Sequence, residues 1–258
     1  MIIADHSRIF TTFGGLKLSS TMRIKFIGAA QEVTGSKHLI ITDHGKKILL
    51  DCGMFQGKGL ETDASNRNTM VEPKEIDYII LTHAHIDHCG LIPYYYKQGF
   101  RGQVVCTDAT RDLCSIMLPD SGFIQENDMI WFNKKRRKEG LPALDPIYTE
   151  KDARACMELF LSTSYNRWVF LDNNIKVKFN NTGHLLGSGC AIIEIDEGGD
   201  MTRIGYTGDI GREYNYLLRS PEAFPHCDYI ITEATYGNRL HADRTNAEEQ
   251  LLKIIYDT

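Results

Sequence analysis

Thr82-His83-Ala84-His85-Ile86-Asp87-His88 follows directly on Asp77-Tyr78-Ile79-Ile80-Leu81. The second run is apolar and β-prone, and it reads as a buried strand. The first sets three imidazoles and a carboxylate into a turn at the end of that strand. Imidazole and carboxylate are the ligands of catalytic zinc sites, whereas thiolate-only cages leave no open position. The i, i+2 spacing lets His83 and His85 reach one metal from a tight loop, and Asp87 and His88, further round, can point at a second. A lone histidine is more often a core or surface residue. This cluster, placed where a buried strand ends, reads as a metal site.

Other strand ends collect similar residues. Lys46 to Asp51 reads as a strand that stops on a carboxylate in Gly-rich surroundings. Asp51 there is either a plain turn residue or an acceptor for the loop that carries the metal ligands. Ile175 to Asn180 reads as a strand, and Thr182-Gly183-His184 places an imidazole just past its end. Cys190 to Asp196 and Thr202 to Thr207 read as a hairpin about Glu197-Gly198-Gly199-Asp200, and its second strand delivers Gly208-Asp209. Asp228 to Thr232 is a further strand that ends in Glu233.

Between these lie helices and connectors. Met22 to Ile27 and His38 to Thr42 read as strands, and Gln56 to Glu75 as a polar surface loop. Gly90 to Gln98 reads as a helix whose Tyr94-Tyr95-Tyr96 either packs on a sheet, the favoured reading, or stacks on bases. Gln103 to Thr107 is a strand, and Asp108 is expected to cap the helix after it. Ser121 to Lys138 reads as a long amphipathic helix stopped by Gly140, and Thr149 to Leu161 as another. The first ends in Lys134-Lys135-Arg136-Arg137-Lys138. That run either complements the negative end of a helix dipole or contacts RNA phosphates.

The 258 residues carry a net charge of −5 and 42% hydrophobic side chains, as an ordinary globular protein does. Such a balance does not advertise a nucleic-acid binder, although bound dications would add positive charge where it counts. The seven cysteines lack any Cys-x-x-Cys pair, which argues for reduced thiols in a cytoplasmic protein. No apolar run is long enough to span a membrane.

Five ordered motifs resemble one family. Gly28 to Ser36, Leu50 to Gly57, Thr182 to Ser188, Tyr206 to Asp209 and Thr232 to Arg239 flank the His-x-His-x-Asp-His run. Together they look like the β-CASP branch of the metallo-β-lactamase superfamily, the zinc nucleases of RNA processing. The resemblance starts at Met22. It implies an α/β fold, an αββα sandwich of two mixed sheets with helices outside, incomplete at its C-terminal end. Its domain division would be an extension over 1–21, a metallo-β-lactamase-like portion over 22–240 and the start of a β-CASP insertion over 241–258.

For the site, the resemblance implies two Zn²⁺. His83, His85, His184 and Asp209 would complete one, and Asp87, His88 and the shared Asp209 would give the second three ligands. Asp87 would also orient the hydroxide, and Glu233 would belong to the relay that protonates the leaving oxygen. The further histidines that the family places near its C-terminus have no match in this chain, where His241 alone follows Glu233. The expected activity is therefore RNA phosphodiester hydrolysis, endonucleolytic or 5′-exonucleolytic, carried here by an N-terminal portion. Two other classes stand beside it. One is a compact hydrolase of a small ester, thioester or lactam with His226 or His241 as last ligand. The other is a non-catalytic RNA-processing subunit, against which the intact ligand set argues.

Overall fold

The computed structural model describes residues 22–57, 60–214, 216–239 and 247–258. The expected extension over 1–21 and His241 lie outside the described residues. The described chain falls into two compact units, one ending at Thr232 and the other beginning at Glu233.

The larger unit is built on two sheets. The first has the order β1 (Arg23–Phe26), β2 (His38–Ile41), β3 (Lys47–Leu50), β4 (Tyr78–Ile80), β5 (Gln103–Thr107), β6 (Phe160–Thr163). β1 to β3 are antiparallel, and β3 to β6 run parallel. The second sheet has the order β11 (Tyr229–Ile231), β10 (Met201–Tyr206), β9 (Gly189–Asp196), β8 (Ile175–Asn181), β7 (Val169–Phe170), with only β10 and β11 parallel.

Alternation along the strands divides the apolar residues between two cores. Ile48, Leu50, Ile80 and Val105 face the second sheet, where they meet Val177, Phe179, Ile193 and Ile204. Leu49, Ile79, Val104 and Cys106 point the other way. They pack against α2 (Ile86–Cys89), α3 (Ile92–Lys97), α4 (Asp108–Lys138) and α5 (Glu150–Cys156). Both faces of β3, β4 and β5 are thus covered, which is why they read as unbroken apolar runs. This is the mixed-sheet α/β sandwich that the sequence led us to expect.

Several local expectations change. Residues 56–75 hold a helix, α1 (Leu60–Arg67), which Asn66 ties to Phe55 through both its amide atoms. Thr107, not Asp108, caps α4: its side chain accepts from Thr110 N at 3.2 Å. The helix then runs unbroken through Pro119 to Lys138, although proline removes one backbone bond. Leu118 and Pro119 are buried against the core, and that packing outweighs the loss. Residues 149–161 are not one helix. The capping box of Thr149 and Asp152 starts α5, but the chain turns into β6, which pairs in parallel with β5. Tyr94 and Tyr95 are packing residues whose hydroxyls donate to the Arg67 and Thr69 carbonyls.

Candidate metal centre

The strands bring their C-terminal ends to one edge of the sandwich. β4 leads into His83 and His85, and α2 begins inside the motif with His85 as its N-cap. β8 leads to His184 and β10 to Asp209. His83 and His85 therefore come from the first sheet, and His184 and Asp209 from the second.

Their ligand atoms converge within 4.8 Å of one another. His83 Nε2 lies 3.0 Å from His85 Nδ1, which lies 3.1 Å from His184 Nε2. Asp209 Oδ2 is 3.4 Å from His184 Nε2 and 3.8 Å from His83 Nε2. A tetrahedron of roughly 2.0–2.1 Å metal bonds has edges of about 3.3–3.4 Å, and the four separations bracket that value. Three imidazole nitrogens and a carboxylate oxygen at these distances can hold a metal ion.

Asp209 faces a second group with its other oxygen. His88 Nε2 is 3.3 Å from Asp209 Oδ1 and 3.9 Å from Asp87 Oδ2. One carboxylate thus spans both sets. Burial and the neighbouring charge on His88 hold the His83 pKa well below the usual imidazole value, and burial does the same for His85. Both rings keep their lone pairs at neutral pH. Burial is the largest single influence on His88 and opposes a charge there, but the Asp51 and Asp209 carboxylates together outweigh it and carry its pKa well above the ordinary value. Burial works against ionised Asp209, yet the hydrogen bond and charge of His88 keep its carboxyl well below the carboxylate range.

Asp51 orients the first-sheet ligands. It is fully buried, with a left-handed backbone (φ 56°) that turns its carboxylate under the motif. Its Oδ1 accepts from Thr82 N at 2.8 Å, and its Oδ2 from Thr82 Oγ1 at 2.8 Å, His88 Nδ1 at 2.7 Å and Tyr206 OH at 2.7 Å. Because His88 donates from Nδ1, its Nε2 is left to face Asp209. Thr82 Oγ1 in turn stands 3.1 Å from His83 Nδ1, so His83 can donate there and keep Nε2 for the cluster. A carboxylate behind a ligating histidine fixes its tautomer in just this way.

Close backbone approaches hold the loops in register. Cys52 N donates to His88 O and Met54 N to Ile86 O. A Cβ on Gly53 would lie 1.6 Å from Asp87 O, so only glycine lets the strand after Asp51 run against the motif. Gly208, at φ 53°, lets the end of β10 lie on Thr82. The His184 loop is held by Ser188 Oγ, which accepts from His184 N and Leu185 N.

Sequence reading named the six histidines and aspartates and suspected Asp51. It missed the supporting roles of Thr82, Tyr206 and Ser188, and of Ser36, whose Oγ lies 2.7 Å from Tyr206 OH. Tyr206 reaches Asp51 across 155 positions of sequence, a separation that no local pattern reveals. Glu233 is half-buried and belongs to the second compact unit. His226 is exposed ahead of β11, where its carbonyl accepts from Arg203.

Fold and site together define a mixed-sheet sandwich with a histidine–carboxylate metal centre at its edge. The profile described as "Metallo-beta-lactamase superfamily" matches residues 36–113 of the chain. Its relatives bear out the RNA-processing branch. It is 35% identical over 237 residues to Ribonuclease TTHA0252 of Thermus thermophilus, covering 92% of this chain and 49% of that one. It is 34% identical to Transcription termination factor FttA of Methanocaldococcus jannaschii (92% of this chain, 35% of that protein). It is 32% identical to Cleavage and polyadenylation specificity factor 73 of Drosophila melanogaster (92% and 32%). The chain thus spans a third to a half of the length of these relatives. Among the described residues no helix is long and apolar enough to cross a membrane.

Proposed function

We propose that this chain carries the metal-binding part of a zinc-dependent ribonuclease that hydrolyses phosphodiester bonds in RNA. The convergence of His83, His85, His184 and Asp209, with His88 on the other oxygen of Asp209, is the observation that carries this reading. The printed names of the relatives, a ribonuclease among them, support RNA as the substrate. Six buried, unpaired cysteines suit a reducing cytoplasm.

In this reading His83, His85, His184 and Asp209 hold one Zn²⁺, and Asp87, His88 and Asp209 take part in holding a second. Bound divalent cations supply Lewis acidity toward water and toward a phosphoryl oxygen. The chain's own residues do the rest. Asp51 keeps His88 in the tautomer that offers Nε2. Asp87, at the first turn of α2, would orient the attacking hydroxide. Glu233 belongs to the relay toward the leaving oxygen. By the same reading residues 22–240 form the metallo-β-lactamase-like portion and residues 241–258 open a β-CASP insertion.

The test incubates a zinc-loaded full-length protein containing these residues with end-labelled RNA and, separately, with a small ester. RNA cleavage that disappears in His83→Ala is expected. Intact RNA alongside ester hydrolysis refutes the proposal. Elemental analysis tests the domain reading: one zinc or fewer per chain, unchanged by His241→Ala, is expected. Two zincs falling to one in that variant would instead mark a compact hydrolase.

A further inference from the structure

The last two turns of α4 use little of their chemistry in the fold. Five of the chain's 29 Lys and Arg stand in a row at Lys134–Lys138, in a protein with 34 Asp and Glu. Among the described residues none of the five forms an ion pair with a carboxylate. Beside them the Trp131 indole is 73% exposed, with Lys134 Nζ 5.4 Å from its ring centroid. Arg136 lies over Phe132 at 5.7 Å.

A helix dipole explains one or two cations in a last turn, but not an exposed tryptophan a turn earlier. The surface is also rigid. Asn133 Oδ1 accepts from Leu144 N and its Nδ2 donates to Leu144 O, both at 2.8 Å. Arg136 Nε donates to Pro142 O at 2.7 Å. The loop after α4 is thereby strapped to the helix, and Lys134, Lys135, Arg137 and Lys138 are left facing solvent.

Unpaired cations beside an exposed aromatic face are the two elements that hold single-stranded nucleic acid: charge for the phosphates and a plane for a base. We propose that the C-terminal end of α4 is an accessory binding surface for single-stranded RNA, apart from the metal centre, a proposal that rests on the ribonuclease reading above. Its position gives it a purpose. α4 begins where the Thr107 and Thr110 hydroxyls lie 2.6 and 2.9 Å from the Gly187 carbonyl, in the loop that carries His184. Thirty-one residues at about 1.5 Å each then span roughly 45 Å. An RNA seated at both ends of this helix is held by a stretch far from the bond that is cut.

The test measures binding of a 30-nucleotide uridine-rich RNA to the whole chain by fluorescence anisotropy across a salt series. A chelator is present so that no cleavage occurs. Lys134, Lys135, Arg137 and Lys138 are changed together to Gln, which keeps helix propensity, and Trp131→Ala is made separately. Circular dichroism checks the folding of both. Each phosphate contact on a single strand contributes about 0.7 to the slope of log affinity against log salt. The slope should therefore shrink by up to about 3 in the four-Gln variant. Loss of one stacked base should weaken Trp131→Ala by roughly 5- to 100-fold.

An unchanged slope with RNA still bound overturns the accessory surface and leaves the ribonuclease reading standing. A parent chain that does not bind RNA counts against both. If poly-glutamate competes as well as RNA and Trp131→Ala is silent, the patch is a general polyanion surface and the RNA assignment falls.

Discussion

Replacing Asp51 by Asn keeps the shape of the side chain and removes one acceptor and one charge. The consequence follows from what faces each oxygen. If the Asn oxygen takes the place of Oδ1, it still serves Thr82 N at 2.8 Å. The amide NH₂ then sits where Oδ2 was, against Tyr206 OH and His88 Nδ1, both 2.7 Å away and both donors to Asp51. His88 can keep a hydrogen bond only by accepting at Nδ1. That places its proton on Nε2, the atom that faces Asp209 at 3.3 Å. With a metal bound at Nε2, where His88 would be neutral, a ligand lone pair then becomes an N–H. Loss of such a carboxylate partner typically weakens metal binding 10- to 100-fold, or about 1.4–2.7 kcal/mol.

Competition with a chromophoric chelator measures this for zinc. In a full-length protein containing these residues, where a second metal is completed, the loss should fall on the metal held by His88, with binding through His83, His85 and His184 within a few-fold of the parent. Tyr206→Phe is the control, because it removes one donor and leaves both the charge and the tautomer intact, so its loss should be below about threefold. If Asp51→Asn binds every zinc as the parent does, Asp51 does not set the His88 tautomer and the reasoning fails.

Three further outcomes follow from the fold. Lys37 is fully enclosed, its ammonium donates to the Gly53 carbonyl, and burial lowers its pKa to about 8. The unfolded chain binds that proton up to about pH 10.5, so unfolding free energy should rise between pH 8 and 10.5 by up to about 3 kcal/mol. Denaturant titration should show this rise absent in Lys37→Met, which should be the more stable protein at pH 7. His38 is pushed down to about 4, first by burial, and its Nδ1 has no partner. The unfolded chain takes up its proton near pH 6.5 and the folded chain only near 4, so stability should fall through that window by up to about 3 kcal/mol. His38→Phe should flatten this part of the curve. Gly208→Ala places a Cβ in the left-handed region and 2.6 Å from Thr82 Oγ1, so its midpoint in urea should drop by the equivalent of about 2 kcal/mol or more. An unchanged midpoint would mean that the end of β10 does not rest on Thr82.

Much of the centre is legible in the sequence because its ligands sit beside strand ends, and strand ends carry strong local signals. His83, His85, Asp87 and His88 fall in a single turn, and His184 and Asp209 follow strands of clear period. The supporting contacts are hidden for the opposite reason. Ser36, Tyr206 and Asp51 meet across the two sheets, and their residue types are ordinary at each place. The errors have the same cause. The sequence reads a helix after Asp108 and another from Ser121, and only the packing of Leu118 and Pro119 into the core shows them to be one. Phe160–Thr163 looks like the tail of a helix until β5 offers it an edge to pair with.

The placement of ligands on two sheets also fixes an order of events. Chains are made from the N-terminus, and a domain generally folds as a unit. His83 and His85 are made early, yet they have no third and fourth partner until β8 and β10 have delivered His184 and Asp209. A metal held by all four would therefore wait until residue 209 has been made. A nascent chain shorter than about 209 residues carries only half of this ligand set. A metal held there would tie residues 83 and 209 together, so that separating the sheets would require giving it up. Such an ion would act as a latch between the two sheets.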